Sequence, residues 1–169
     1  DLVQWGLYYP PVMSVATPGD VSPAIQNAAT LLSLGRVDEA RAEIDAALQK
    51  DAKSGAAYAL RAVIAVALND NETALSDARR AVELSPGSAS AKIALSYAQQ
   101  ANLELAAARD TLLQAVDQEP ENALAWARLA ELHLMLGNRR EASAAAERAV
   151  ALEPGLSRTQ NVLGFAALA

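Results

Sequence analysis

Imidazole is the side chain best suited to acid–base chemistry near neutral pH, and this chain has one, His133. Its acidic neighbours Glu131 and Glu141 do not form a ligand pair with it at the four-residue spacing that a helical metal site uses. A histidine packed into a helix core is the expectation. The serines have no histidine–acid partnership to activate them, because the sole histidine belongs to that core. No glycine-rich strand-to-helix loop exists to cradle a phosphate, and the glycines fall almost entirely at turns. Without cysteine there is no thiolate nucleophile, no thiolate zinc site and no disulfide. The carboxylates Asp38, Glu39, Glu72, Asp77, Glu141 and Glu147 are interleaved with Arg41, Arg79, Arg80 and Arg148, a pattern that reads as a solvated face. The expectation is a non-catalytic chain with no metal and no cofactor, whose function resides in a surface.

The elements that carry such a surface follow from composition and period. Just over half of the 169 residues are apolar and few are aromatic, and the apolar share is dominated by alanine and leucine, the strongest helix formers. A net charge of −6 argues against a nucleic-acid surface, which needs clustered Lys and Arg to displace counterions. Charged residues interrupt every alanine-rich segment, so none reaches the roughly 18–20 apolar residues that cross a bilayer, and no membrane insertion is expected.

Self-similarity organises the chain. Pro86-Gly87-Ser88 recurs in altered form as Pro120-Glu121-Asn122 and Pro154-Gly155-Leu156, with the same spacing each time. Ala40, Ala74, Ala108 and Ala142 keep that step, as do Ala47, Ala81, Ala115 and Ala149. Within each period apolar residues recur three and four apart over two segments, the signature of two helices. Gly35, Asn69 and Gly137 divide the segments, where a residue tolerant of positive φ ends a helix. Each proline follows the second helix, whose hydrogen-bond ladder it cannot continue. The expected helices span 22–34, 37–50, 54–68, 71–84, 88–101, 105–118, 122–136, 139–152 and 156–169. The turn near Leu103 lacks a glycine and is the boundary with the least local support.

These residues resemble the tetratricopeptide repeat family over about residues 21–169. Residues 123–156 match its pattern best, with Trp126, Leu129, Ala130, Gly137, Ala142, Ala149 and Pro154 at that family's spacings; His133 replaces the usual aromatic and Ala146 a usually larger residue. The resemblance implies an all-α, right-handed α-solenoid of antiparallel helix hairpins: repeats 21–54, 55–88, 89–122 and 123–156, and a truncated first helix over 157–169. Ala28, Ala62, Ser96, Ala130 and Gly164 then face the small residues of each second helix, so that the two backbones approach closely. Asn27 and Arg61 stand where Leu95, Leu129 and Leu163 occur. Arg61 either lays its stem on the core and snorkels outward or makes a polar contact to the N-terminal segment.

In that family the first helices line a concave groove that holds a peptide or helix. The corresponding stripe is Ile25, Ala29, Leu32; Ala59, Val63, Val66; Ile93, Tyr97, Gln100; and Ala127, Glu131, Leu134, flanked by Leu124, Arg128 and Met135. Members that grip a terminal carboxylate carry Lys, Asn and Arg here, whereas this chain has Ile25, Ala29, Leu60, Ser90 and Ala94. Arg128 and Arg158 are the basic candidates, and both come late. The expected partner is a protein or peptide bound through apolar anchors.

The ends differ from the repeats. Residues 1–20 concentrate Trp5, Tyr8 and Tyr9 around Pro10-Pro11, and are expected either to cap the first hairpin or to lie in a groove of their own or a neighbouring chain. About ten of these residues resemble the stretch between a FecR-type domain and tetratricopeptide repeats in bacterial envelope proteins, which implies an envelope or periplasmic setting. Val162, Leu163, Phe165, Ala166 and Leu168 give the last helix a broad apolar face. That face suggests that further repeats follow in a longer parent protein, and it offers, like the N-terminal segment, a route to a homodimer.

Overall fold

The computed structural model of the chain describes residues 22–155. Over that span eight helices form four hairpins: α1 (Pro23–Ser33) with α2 (Val37–Lys50), α3 (Gly55–Ala67) with α4 (Asn71–Leu84), α5 (Ala89–Ala101) with α6 (Leu105–Gln118), and α7 (Ala123–Met135) with α8 (Arg139–Leu152). The N-terminal aromatic segment and the helix expected at 156–169 lie outside the described residues.

Both ends of each first helix are set by local chemistry. Ser22, Ser54, Ser88 and Asn122 are the N-caps, and their side-chain oxygens accept the amides of Ile25, Ala57, Ala91 and Ala125. Pro23 occupies the first turn of α1, where its missing N–H costs nothing. Gly35, Asn69, Leu103 and Gly137, one in each hairpin at the period of the repeat, have φ of 74°, 58°, 63° and 78°. The following amides of Arg36, Asp70, Glu104 and Asn138 each reach back to a carbonyl five residues earlier, at 2.8–2.9 Å. That bond closes a left-handed helix cap and turns the chain into the second helix. Leu103 thus performs the glycine's task without being one, and α6 begins at Leu105 as the period requires.

Small residues bring the hairpin arms together. Ala28, Ala62, Ser96 and Ala130 are fully buried, as are Ala40, Ala74, Ala108 and Ala142, and the Ser96 hydroxyl is satisfied by the Ile93 carbonyl at 2.7 Å. Each second helix also packs on the next first helix, and α1, α3, α5 and α7 touch in sequence, so one apolar cluster runs through all four hairpins. No hairpin could bury this surface alone; neighbours complete one another's cores.

Two expectations about charge need correction. Asp77 is not on a solvated face but is 5% exposed. Arg61 does not snorkel: its Nε and Nη2 donate to the two Asp77 oxygens at 2.7 and 2.9 Å, and Nη1 donates to Asp45 at 3.1 Å. The cause is position, because Arg61 on α3 stands between Asp45 on α2 and Asp77 on α4, and its guanidinium reaches both carboxylates. The guanidinium also lies over the Tyr58 ring, 5.2 Å from its centre.

Candidate functional site

The residues of the expected stripe lie on the first helices, and the structure withdraws most of them from water. Ile25, Leu32, Ala59, Val63, Val66, Ile93, Tyr97, Gln100, Leu124, Ala127 and Arg128 are buried, while Ala29, Glu131, Leu134 and Met135 are partly buried. Along the stack the chemistry grades from aliphatic on α1 and α3 to mixed polar on α5 and α7.

The mixed end is an organised cluster. The Arg128 side chain is 1% exposed, and its Nη1 donates to Glu131 at 2.8 Å, one helical turn away. Its Nη2 donates to the Gln100 side-chain oxygen, tying α7 to α5. The guanidinium stacks over the Tyr97 ring at 3.9 Å from its centre, the geometry of a cation–π contact strengthened by desolvation. Arg128 Nε is buried and has no hydrogen-bond partner among the described residues. Because Glu131 compensates its charge locally, this cluster differs from a row of bare cations.

Three further polar arrangements stand outside the stripe. Lys92 is 3% exposed, and its ammonium donates to the Pro86 carbonyl and to Gln118 Oε1. Burial holds its pKa below the usual lysine range, with Glu119 pulling the other way. Lys92 stands one full repeat before Trp126, whose indole N–H donates to the Pro120 carbonyl at 2.8 Å. Both side chains therefore latch onto the proline carbonyl six residues upstream, a correspondence the period alone would have exposed. Arg61, with Asp45 and Asp77, is the second group. Its pKa is raised, first by the hydrogen bond to Asp77, with burial opposing the shift. The third is the link from Thr111 Oγ1 to Gln99 Oε1 at 2.9 Å within the third hairpin.

Arg61 also divides two clefts. One, of about 960 Å³, runs along α4 past Tyr58, Leu75 and Arg79; the other, of about 280 Å³, lies over Ile64, Leu68 and Thr73. No stripe residue lines either. His133 is 8% exposed with Nδ1 3.4 Å from Asn138 Nδ2, and burial lowers its pKa while Glu141 opposes the shift. Among the described residues no group of three or more His, Cys, Asp or Glu is placed to hold a metal, and no helix is long and apolar enough to cross a membrane.

Sequence-family models for the tetratricopeptide repeat match residues 26–89 and 123–155, together more than half of the chain. The chain belongs to the tetratricopeptide repeat family. Solved structures agree on the fold. A thermophilic TPR protein of Thermus thermophilus is 22% identical, with TM-score 0.78, covering 86% of this chain and 80% of that one. The pilF protein of Pseudomonas aeruginosa is 19% identical, with TM-score 0.73, covering 86% and 66%. MamA of Desulfovibrio magneticus RS-1 is 20% identical, with TM-score 0.61, covering 80% and 76%. At these identities the likeness concerns the fold alone. No curated protein sequence matches the chain. TPR proteins generally mediate protein–protein interactions, and that general role is what membership conveys.

Proposed function

We propose that this TPR array is a non-catalytic scaffold whose first-helix face holds an apolar peptide or amphipathic helix of a protein partner. One observation carries the reading: an aliphatic stripe over α1 and α3 ends at a desolvated, charge-compensated Arg128–Tyr97–Gln100 cluster on α5 and α7. Aliphatic side chains give the face its apolar character, and the cluster marks its polar end. The Arg128–Glu131 pair leaves little net attraction for a ligand carboxylate, which favours an uncharged apolar segment over a terminal acid. Titrating amphipathic-helical and extended apolar peptides against the chain and its Val63→Glu and Tyr97→Ala variants tests this. Affinity lost in both while circular dichroism shows each variant folded supports the reading, and unchanged affinity in both removes the face as the site.

A second reading is favoured by the near-complete burial of Ala94, Ala127 and Arg128. On it the face is already covered by the chain's own or a neighbour's N-terminal segment bearing Trp5, Tyr8 and Tyr9, and the array is a spacer or oligomerisation module. Deleting residues 1–20 separates the two. A stable truncated chain that gains peptide affinity favours a displaceable cover, while collapse of stability with no new binding favours a structural cap.

A further inference from the structure

The turns between the two helices of each hairpin line one edge of the stack, and this edge carries residues that local preference opposes. Leu103 holds φ of 63° with its side chain exposed, 78% of the residue facing water. A leucine there is disfavoured by backbone sterics, which a glycine or asparagine relieves, and it presents apolar surface to solvent. Arg139 and Arg140 open α8, at the helix end where partial positive charge gathers and carboxylates are favoured. Among the described residues neither arginine makes an ion pair, nor does Glu72 in the first turn of α4.

The repeat relates these residues. Glu72, Ala106 and Arg140 occupy one position of three successive hairpins, and all three are exposed. At this position the order from the second hairpin to the fourth is negative, neutral, positive, with Asp38 holding it in the first; Leu103 and the exposed Glu104 stand beside the middle position, and the exposed Glu141 beside Arg140. The edge is also firm: Asn71 Nδ2 donates to the Ala101 carbonyl at 3.1 Å and Asn102 Nδ2 to the Asn71 carbonyl at 3.3 Å, stitching the second turn to the third.

Opposite charges placed on either side of one point are complementary to each other under a two-fold rotation about it. We infer that this edge docks a second copy of the chain, with the axis near Leu103, so that Glu72 meets Arg140 of the partner subunit and Arg140 meets the partner's Glu72. Leu103 then covers the partner's Leu103, which accounts for an apolar side chain held outward on a strained turn. Complementary charge selects the register and suppresses wrong pairings, and the apolar contact supplies the attraction that salt does not screen. The arrangement brings one like-charged pair together, Glu104 with the partner's Glu104.

Sedimentation equilibrium on the full chain over a concentration series tests the inference. The wild type should form a dimer that weakens as salt rises. Arg140→Glu and Glu72→Arg should each raise the dissociation constant about tenfold or more. The two together should restore it to within about threefold of the wild type, because the reversed charges again face one another. Leu103→Asn, which keeps the left-handed turn, should weaken the dimer, and Glu104→Gln should tighten it. Circular dichroism confirms that every variant is folded. A monomer at all concentrations, a dimer indifferent to both reversals, or a double reversal that fails to recover overturns the inference. An indifferent dimer would use another face.

Discussion

The Arg61–Asp77 pair offers a measurement whose sign separates packing from charge. Asp77 has 7% of its side chain exposed and Arg61 28%, so the pair sits between two regimes. Breaking a buried pair costs about 3–5 kcal/mol because one charge is stranded, whereas an exposed pair contributes about 0.2–1 kcal/mol. Asp77→Ala leaves Arg61 with Asp45 at 3.1 Å, and a loss of about 2 kcal/mol is expected between those limits. Arg61→Leu strands the Asp77 carboxylate instead, with a similar loss of about 2 kcal/mol. The double variant recreates what the fourth hairpin already has, Leu129 and Ala145, both buried. It should return to within about 1 kcal/mol of the wild type, since a buried ion pair and a well-packed apolar pair are often equivalent. Urea unfolding followed by circular dichroism gives the four corners of the cycle. In thermal scans each single variant should fall by about 4–8 °C. If the single losses simply add in the double variant, the two residues do not act as a unit and the pairing of Arg61 with Asp77 is refuted.

Three further outcomes follow from the same reasoning. Lys92→Trp should hold stability within about 1 kcal/mol, because an indole can reach the Pro86 carbonyl as Trp126 reaches Pro120, while Lys92→Met should lose about 1–2 kcal/mol by orphaning that carbonyl; equal stability of the methionine variant would refute the latch. Because burial lowers the His133 pKa, the unfolded chain binds the proton more readily. The contribution of His133 is thus complete above the unfolded value of about 6.5 and is lost as pH falls through the folded pKa. The decline in Tm below that pH should flatten in His133→Phe, and a variant with an unchanged pH slope would contradict it. Leu103→Asn should raise the unfolding free energy by about 0.5–1 kcal/mol by relieving a left-handed leucine, and a fall in chemical-denaturation midpoint would count against strain at that turn.

The helices were legible because small residues and turn formers repeat in register. Gly35, Asn69 and Gly137 announce a left-handed cap, and the two alanine series mark where backbones touch. Leu103 gave no such signal, since leucine is no turn residue. Its conformation follows from the cap hydrogen bonds of the preceding helix and from the Asn71 and Asn102 stitches, which no local window contains. The partners of Arg61 were hidden for a similar reason: Asp45 and Asp77 lie far from it along the chain, one on each side, and only the rotations of three helices bring them together. The stripe from Ile25 to Leu134 was expected on the side turned from the partner helix. It could not tell how far water is excluded from that side, because that depends on what lies over a helix and not on its own sequence.

The shared latch of Lys92 and Trp126 bears on how such arrays diverge. In the third and fourth hairpins one position of the repeat places a donor against the carbonyl six residues back, and an ammonium serves in one where an indole serves in the other, while Ala24 and Tyr58 hold that position in the first two hairpins. Aromatic residues can therefore drift away there without the stack losing its register. A hairpin transplanted into a foreign array can therefore meet the proline before it with either donor.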